Sequence, residues 1–175
     1  MFAATPIAGA FVIRPERLED ERGFFARTYC AREFAEYGLG FRPAQSSLSY
    51  NRVRGTLRGM HFQVAPHEES KLVSVRRGSI HDVIIDLRRD SVTRGKWFAV
   101  TLSAAGDEIL FVPKGCAHGF ITLVDDTVVQ YEISEFHHPE SSRGVRYNDS
   151  AFGIEWPMQP VVISARDKGF PLYGD

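Results

Sequence analysis

Apolar and polar residues alternate along most of the chain in short runs that end at turn-forming residues. The stretch KLVSVRRGSIHDVIIDLR, residues 71–88, predicts two strands around a turn at Arg77 and Gly78. Further strands are predicted in KWFAVTLS, in both halves of EILFVPKGCAHGFITL and in TVVQYEISEF. Many short strands at regular spacing predict a mainly β protein built as an antiparallel sandwich or barrel.

The two ends of the chain carry weaker patterns. The stretch GAFVIRPERLEDERGFFARTY predicts a strand, a polar turn and a second strand that begins at Phe24. The stretch CAREFAEYGLG places Phe34 and Tyr37 near helical spacing and ends in glycine, which predicts a short helix. The tail from Glu140 is irregular and contains proline, but its aromatic residues predict that it packs on the barrel.

Length and composition predict one domain spanning residues 1–175. Lys plus Arg number 21 against 22 for Asp plus Glu, so charge directs the protein neither to nucleic acid nor to an anionic membrane. The two cysteines, Cys30 and Cys116, lie far apart and lack metal-ligand spacing, which favours a reducing, cytoplasmic location. Neither a signal peptide nor a membrane-spanning run is predicted.

A metal site is the first chemistry to consider, in RGTLRGMHFQVAPHEESKLVSVRRG, residues 54–78. The Pro-x-Gly turn before His118 in GDEILFVPKGCAHGF resembles the second motif of cupin barrels, whose metal-binding members carry His-x-His in the first motif. That place reads His61-Phe62-Gln63 here, and glutamine is a poor ligand beside imidazole or carboxylate. No metal is therefore expected, and a metal-dependent cupin enzyme is the alternative. Residues 67–69, His-Glu-Glu, could supply ligands but follow Pro66 in a predicted loop.

Acid–base chemistry is the second interpretation of the same stretch. A histidine next to a buried carboxylate is a general base near neutral pH. Arg58 precedes His61 by three residues, so the two would face opposite sides of a regular strand unless Gly59 permits a bulge. From spacing alone, a hydrogen-bonded core histidine is the favoured interpretation of His61.

The motifs taken together carry a more specific signal. In order they are GTLRGMHFQ, KLVSVRRG, DVIIDLRRDSVTRGKW, LFVPKGCAHGF, VVQYEISEFHHPE, RGVRYNDSAFGIEWP and ISARDKG. From about Asp20 to Asp167 the chain resembles the dTDP-4-dehydrorhamnose 3,5-epimerase family, a metal-independent cupin group. The resemblance implies an antiparallel jelly-roll barrel with a few short helices and a homodimer that shares or exchanges N-terminal strands. It also implies a C-terminal tail that closes the site.

The resemblance implies a role for eleven residues. His61 matches the general base, Asp167 its acidic partner, Tyr131 the acid on the opposite sugar face, and Lys71 the cation near the C4 oxygen. The predicted substrate-binding residues are Arg58 at the diphosphate, with Gln45, Ser47, His118 and Phe136 in the pocket, and Arg22 and Phe24 at the nucleotide of the neighbouring subunit. Taken singly, Tyr131 is also consistent with a core tyrosine, Lys71 with a solvated strand residue, and Asp167 with a turn or helix cap.

The implied activity is epimerisation at C3, C5 or both of a nucleotide-diphosphate-linked 4-keto-6-deoxyhexose, without a cofactor, in deoxysugar and O-antigen polysaccharide biosynthesis. Three departures from the family pattern leave the nucleotide base and the carbon open: Ala26-Arg27-Thr28 after RGFF, Phe136-His137 for a tyrosine pair, and Ser47 for a frequent asparagine. The alternatives are a mono-epimerase or ketoisomerase, which could act on a CDP- or GDP-linked sugar, and a non-catalytic nucleotide-sugar-binding module.

Overall fold

Two six-stranded sheets form the body of the molecule. The computed structural model describes residues 1–174, and Asp175, the last residue of the predicted domain, lies outside the described part. The strands are β1 (Phe2–Ala4), β2 (Phe11–Ile13), β3 (Arg17–Asp20), β4 (Gly23–Ala26), β5 (Gln45–Asn51), β6 (Thr56–Gln63), β7 (Lys71–Arg77), β8 (Ser79–Asp86), β9 (Trp97–Ser103), β10 (Ile109–Val112), β11 (Cys116–Thr122), β12 (Thr127–Ile133), β13 (Ser142–Gly144) and β14 (Val162–Ile163). The helices are α1 (Ala31–Glu36) and α2 (Ala165–Lys168).

Strand order follows the pattern of a jelly roll, in which the chain crosses repeatedly between sheets. The first sheet has the order β1-β2-β10-β7-β12-β5, and the second β13-β6-β11-β8-β9 with β14 also paired to β6. Every strand pair is antiparallel except β14 with β6. The predicted mainly β, antiparallel barrel architecture with short helices is confirmed.

The predicted turn and helix are also confirmed. Gly78 joins β7 to β8 with φ of +79°, a conformation that glycine adopts without strain, and a Cβ there would come within 2.4 Å of Thr127 Oγ1. In α1, Phe34 is buried, while Tyr37 at the C-cap stacks on Phe2 with ring centroids 4.2 Å apart. No helix within residues 1–174 is long and apolar enough to cross a membrane.

The polar turn predicted before Phe24 is only partly correct, because Arg17–Asp20 within that stretch form the strand β3. β3 pairs with β4 as a separate two-stranded sheet that hydrogen-bonds to neither large sheet. All four β3 residues are exposed, so neither face needs the apolar alternation by which a strand is recognised. The charged sequence Arg17–Asp20 therefore gave no strand signal.

Three apolar clusters hold the layers together. The largest draws on both sheets and fills the space between them, including Val73, Ile84, Leu110 and Phe120. A second packs α1 and Phe41 on the outer face of the first sheet. The third lies on the outer face of the second sheet, where Val145 and Phe152 cover Met60, Val83 and Ile85. The tail therefore packs on the barrel, as its aromatic content predicts.

Candidate active site

A bulge in β6 determines which side chains of that strand share a face. His61 pairs with His118 on β11, and Arg58 pairs with Phe120, so two residues of β6 oppose one of β11. Gly59 lies in the bulge with φ of +146°, and a Cβ there would come within 2.6 Å of the Gly119 Cα. The predicted bulge at Gly59 is present. Because of it, Arg58 and His61 lie on the same face of β6 although they are three residues apart.

The tail supplies a carboxylate to His61. β14 pairs in parallel with the start of β6, and α2 follows directly. Its N-cap is Ser164, whose side chain accepts a hydrogen bond from the Asp167 N–H at 3.0 Å. Asp167 Oδ1 lies 2.9 Å from His61 Nε2, and Oδ2 accepts a hydrogen bond from the Gly59 N–H at 3.1 Å. The contact spans 106 positions of sequence.

This environment keeps Asp167 ionised. Burial of the carboxyl opposes ionisation, but the hydrogen bonds from His61 and from the Gly59 N–H outweigh it, so the pKa of Asp167 lies below its usual value. The His61 side chain is 38% exposed, whereas that of Asp167 is 6% exposed. An ionised, buried carboxylate thus orients an accessible imidazole and can stabilise its protonated form.

A cavity of about 200 Å³ opens beside His61. Its lining includes Lys71 from β7, Gln45 from β5, and Phe136 after β12. A larger surface cavity of about 780 Å³ shares Phe62 and Gln63 with it, and no predicted site residue lines that larger cavity among the residues described. The smaller cavity is the relevant one, because the titratable groups of His61 and Lys71 line it, whereas the predicted acid Tyr131 is not among its lining residues.

Lys71 is held by a partner that sequence reasoning missed. Lys71 Nζ lies 2.9 Å from Glu69 Oε1 and donates to the His61 carbonyl at 3.3 Å. Glu69 is buried and its Oε2 accepts a hydrogen bond from the Gln63 N–H at 2.9 Å. Glu69 lies in the loop predicted for residues 67–69, but it has a role there, because its carboxylate makes burial of the Lys71 ammonium tolerable. No strand alternation marks this pair, because Glu69 precedes the start of β7 at Lys71.

Tyr131 and His118 face the interior from opposite sheets. Their ring centroids are 6.1 Å apart, and His118 is the cross-strand neighbour of His61. Burial, followed by the negative charge of Asp82, raises the pKa of Tyr131, although the positive charge of Arg58 acts in the opposite direction. The Tyr131 phenol is therefore protonated at neutral pH and can donate a proton.

A second histidine–carboxylate pair lies deeper in the barrel. His118 Nε2 is 2.6 Å from Asp82 Oδ1, and Asp82 is fully buried. Asp82 and Asp86 share a face of β8 by sequence spacing, and the structure separates their environments. Asp82 belongs to the interior near Tyr131, whereas Asp86 accepts hydrogen bonds from Arg88, Ser91 and Thr93 in the connection to β9.

The remaining predicted binding residues fall into two groups. Arg58 is exposed, and its Nε donates to Asn51 Oδ1 at 2.7 Å; Asn51 is buried and was missed by sequence reasoning. Gln45 accepts a hydrogen bond from the His137 N–H, and Ser47 lies opposite Tyr131 on β5. Arg22 and Phe24 lie apart from the cavity, on the exposed β3–β4 hairpin, so their contact with a neighbouring subunit stays a prediction.

The chain is similar to known proteins in both sequence and structure. The family model described as dTDP-4-dehydrorhamnose 3,5-epimerase matches residues 4–175. A relative with that name from Methanothermobacter thermautotrophicus is 42% identical over 172 residues, which cover 97% of this chain and 92% of the relative.

Two solved structures superpose closely. The Bacillus anthracis dTDP-4-dehydrorhamnose 3,5-epimerase with TDP and PPi bound has a TM-score of 0.94 and 38% identity over 98% of both chains. A Legionella pneumophila dTDP-6-deoxy-D-glucose-3,5-epimerase in complex with dTDP-4-keto-L-rhamnose has a TM-score of 0.91 and 35% identity, covering 98% of this chain and 92% of that one. This chain therefore belongs to the dTDP-4-dehydrorhamnose 3,5-epimerase family.

Proposed function

We propose that the protein is an isomerase that converts dTDP-4-dehydro-6-deoxyglucose to dTDP-4-dehydrorhamnose by inverting C3 and C5. The observation that carries the proposal is the His61–Asp167 hydrogen bond beside a cavity that Lys71 also lines. Family membership and the thymidine nucleotide ligands of the two solved structures support the substrate class.

His61 and Lys71 account for the first half of the reaction. A C–H bond next to a ketone is acidic only when the resulting enolate is stabilised. His61 takes the proton, and the ionised Asp167 stabilises the imidazolium that forms. The Lys71 ammonium, paired with Glu69 in a nearly dry environment, stabilises the negative charge that develops on the C4 oxygen.

Tyr131 accounts for the second half. Its phenol returns a proton to the same carbon from the opposite face, which inverts the centre and leaves a phenolate. Solvent then reprotonates the phenolate and takes the proton from the His61 imidazolium, so both residues are regenerated. The C4 ketone re-forms, so one proton is lost and one is gained at each carbon. Nothing is oxidised or reduced, and the reaction needs no redox cofactor.

The other predicted pocket residues hold the substrate in register. The Arg58 guanidinium binds the diphosphate, since planar guanidinium pairs well with phosphate oxygens. Gln45 and Ser47 supply polar contacts from β5, and His118 supplies one from β11. Phe136, 59% exposed at the mouth, offers a flat apolar surface for stacking. Fixed orientation of the sugar is what brings C3 and C5 in turn to His61.

The test is turnover in deuterated water. Purified protein given dTDP-4-dehydro-6-deoxyglucose should incorporate deuterium at both C3 and C5, and the His61→Asn variant should incorporate none. CDP-, GDP- and UDP-linked analogues, run in parallel, identify the base preference left open by Ala26-Arg27-Thr28. Absence of deuterium at both carbons with all four donors would falsify the proposal. Deuterium at a single carbon would replace it with a mono-epimerase.

We also propose a homodimer in which the β3–β4 hairpin reaches the partner's nucleotide site through Arg22 and Phe24. Support comes from apolar side chains on that hairpin, with Leu18 60% and Phe25 64% exposed. It also comes from the outer edge of β5, which pairs with no strand within residues 1–174. A two-fold partner can cover both. Light scattering at working concentration should give twice the chain mass, and a monomer would contradict the proposal.

The single domain and the cellular role complete the proposal. Residues 1–175 form one unit whose tail closes the site. The β14–β6 pairing and Asp167 support this, and calorimetry should give a single unfolding transition.

We place the reaction in the cytoplasm, where it supplies dTDP-rhamnose for the synthesis of lipopolysaccharide and O-antigen. Family membership supports this placement, and loss of rhamnose from surface polysaccharide on gene deletion would test it.

A further inference from the structure

We propose that His67, Glu135 and His138 form a binding site for a divalent transition-metal ion of the Zn²⁺ class, here termed the rim cluster. Each residue offers one ligand atom, and these atoms lie within 4.8 Å of one another. Within residues 1–174, this is the only such grouping of three histidine, cysteine or carboxylate side chains. The site is separate from the predicted proton-transfer residues, since it contains none of them.

The donor set is chemically suited to such an ion. Two imidazoles and one carboxylate are a common three-ligand set for Zn²⁺, with a fourth position left for water. Zn–N and Zn–O bonds of about 2.0–2.2 Å place ligand atoms roughly 3.3 Å apart. The three side chains are only half-buried, so they have room to rotate to that spacing. Imidazole also selects against Mg²⁺ and Ca²⁺, which prefer oxygen ligands.

Gln63 holds the two ligand-bearing loops together. His67 lies in the β6–β7 loop, whereas Glu135 and His138 lie between β12 and β13. Gln63 Nε2 donates to the carbonyls of His67 at 2.8 Å and Phe136 at 3.1 Å, and Gln63 Oε1 accepts from the His138 N–H at 2.6 Å. Gln63 is buried, so the backbone of both loops is fixed before any ion binds.

The two imidazole rings are adjacent but stacked face to face. His67 and His138 are parallel within 8°, with centroids 3.5 Å apart, and because imidazole binds a metal in its ring plane, at least one ring must turn out of this stack to share an ion. His138 Nδ1 lies 3.1 Å from Glu140 Oε1, which leaves Nε2 as its free ring nitrogen. A carboxylate on the far nitrogen of a liganding imidazole fixes the ring and increases its basicity, an arrangement widespread in zinc proteins.

Binding would connect two loops at the mouth of the cavity. Glu135 and Phe136 line the cavity beside His61, so an ion on Glu135 restrains that wall without touching the predicted base. An ion bound only by the folded state stabilises it in proportion to its occupancy. The measurable consequence is therefore a metal-dependent melting temperature, whether or not turnover changes.

The experiment titrates tag-free, metal-stripped full-length protein with Co²⁺ and Zn²⁺. Co²⁺ should give the visible absorption of a four-coordinate site at one ion per chain, and saturating Zn²⁺ should raise the melting temperature by roughly 5 °C. His67→Ala and His138→Ala should each abolish the absorption and the shift. Glu140→Gln should weaken Co²⁺ binding about 10–100-fold while keeping the stoichiometry.

His137→Ala is the matched control, because His137 is the exposed neighbour of His138 and is not in the rim cluster. It should retain both the absorption and the melting shift. Metal binding that survives both His67→Ala and His138→Ala, or no Co²⁺ absorption in the wild-type protein, would overturn the proposal. Loss of binding in His61→Asn with retention in His67→Ala would assign the ion to the cavity and would also overturn it.

Discussion

The two histidine–carboxylate pairs of this barrel lie side by side and have opposite surroundings. His61 and His118 are cross-strand neighbours on β6 and β11, and the Nε2 atom of each ring is hydrogen-bonded to an aspartate. The His61 side chain is 38% exposed, whereas the His118 side chain is 5% exposed and Asp82 is fully buried. The same chemical pair is thus present once at a cavity wall and once in the core.

The difference lies in how completely each carboxylate is satisfied. Asp167 uses both oxygens, one for His61 and one for the Gly59 N–H. Asp82 uses Oδ1 for His118, and its Oδ2 has no hydrogen-bond partner among the described residues. His61 is accessible and the carboxylate that holds it has both oxygens hydrogen-bonded, so His61 is suited to exchange a proton with a ligand. His118 is buried and is held in a fixed position by its hydrogen bond to Asp82.

The largest expected effect is the loss of kcat when His61 is substituted, compared with His118. His61→Asn should lower kcat about 100- to 10,000-fold, because the general base is lost while the residue remains able to hydrogen-bond. His118→Asn should act mainly on KM, since His118 is proposed to contact substrate rather than to move a proton. Steady-state kinetics with circular dichroism as a check on folding measures both. Equal losses of kcat in the two variants would show that the two histidines do not differ in catalytic role.

The free energy of unfolding should depend more on the buried His118–Asp82 pair than on the His61–Asp167 pair. His118→Ala leaves Asp82 buried without a partner on either oxygen and should lower the free energy of unfolding by roughly 3 kcal/mol. His61→Ala removes an accessible ring and should cost less than about 1 kcal/mol. Urea denaturation measures both values. A larger loss in His61→Ala than in His118→Ala would reverse the comparison.

A third change acts on the close contact between the strands that carry the two pairs. A Cβ on Gly119 would meet Met60 Sδ at 2.6 Å and the Arg58 carbonyl at 2.8 Å. Gly119→Ala should therefore push β11 from the β6 bulge and cost about 2 kcal/mol of stability, with a loss of kcat. Gly153→Ala is not a matched control, since its φ is +61°. Gly40→Ala is suitable, because a Cβ there meets nothing within 4 Å. Unchanged kcat in Gly119→Ala would show that the close approach does not position His61.

Sequence pattern predicted the strands that border the core and failed where a segment has no buried face. β7, β8 and β12 were predicted because each is a short run rich in apolar residues next to turn-forming residues, and each has buried residues in the structure. β3 was missed because it is exposed on both faces. The Glu69–Lys71 pair was missed because charged residues after Pro66 were assigned to a loop, although burial makes them partners.

The site itself could be predicted only in part. Spacing alone could neither orient His61 nor place Asp167 beside it, because that contact depends on β14 pairing with β6 across most of the chain. Family resemblance supplied the pairing that pattern could not. Asp82 and Asp86 share a face of β8 by spacing, but the pairing of Asp82 with His118 depends on the strand register, which alternation does not specify. The partners of Asp86 lie instead in the connection to β9.

The smallest expected effect is the pH dependence of stability at Asp167. Because its folded-state pKa lies below the usual 3.8, the ionised carboxylate stabilises the fold above about pH 4, and this contribution is lost as pH falls through the folded pKa. Asp167→Asn should therefore melt below wild type at pH 7, and the gap should shrink as pH falls below about 4. Melting curves from pH 7 to pH 3 measure it, with Asp90→Asn as an exposed control. A gap that stays constant through acidification would show that Asp167 contributes by packing rather than by charge, and the contrast with the buried Asp82 would then lose its electrostatic basis.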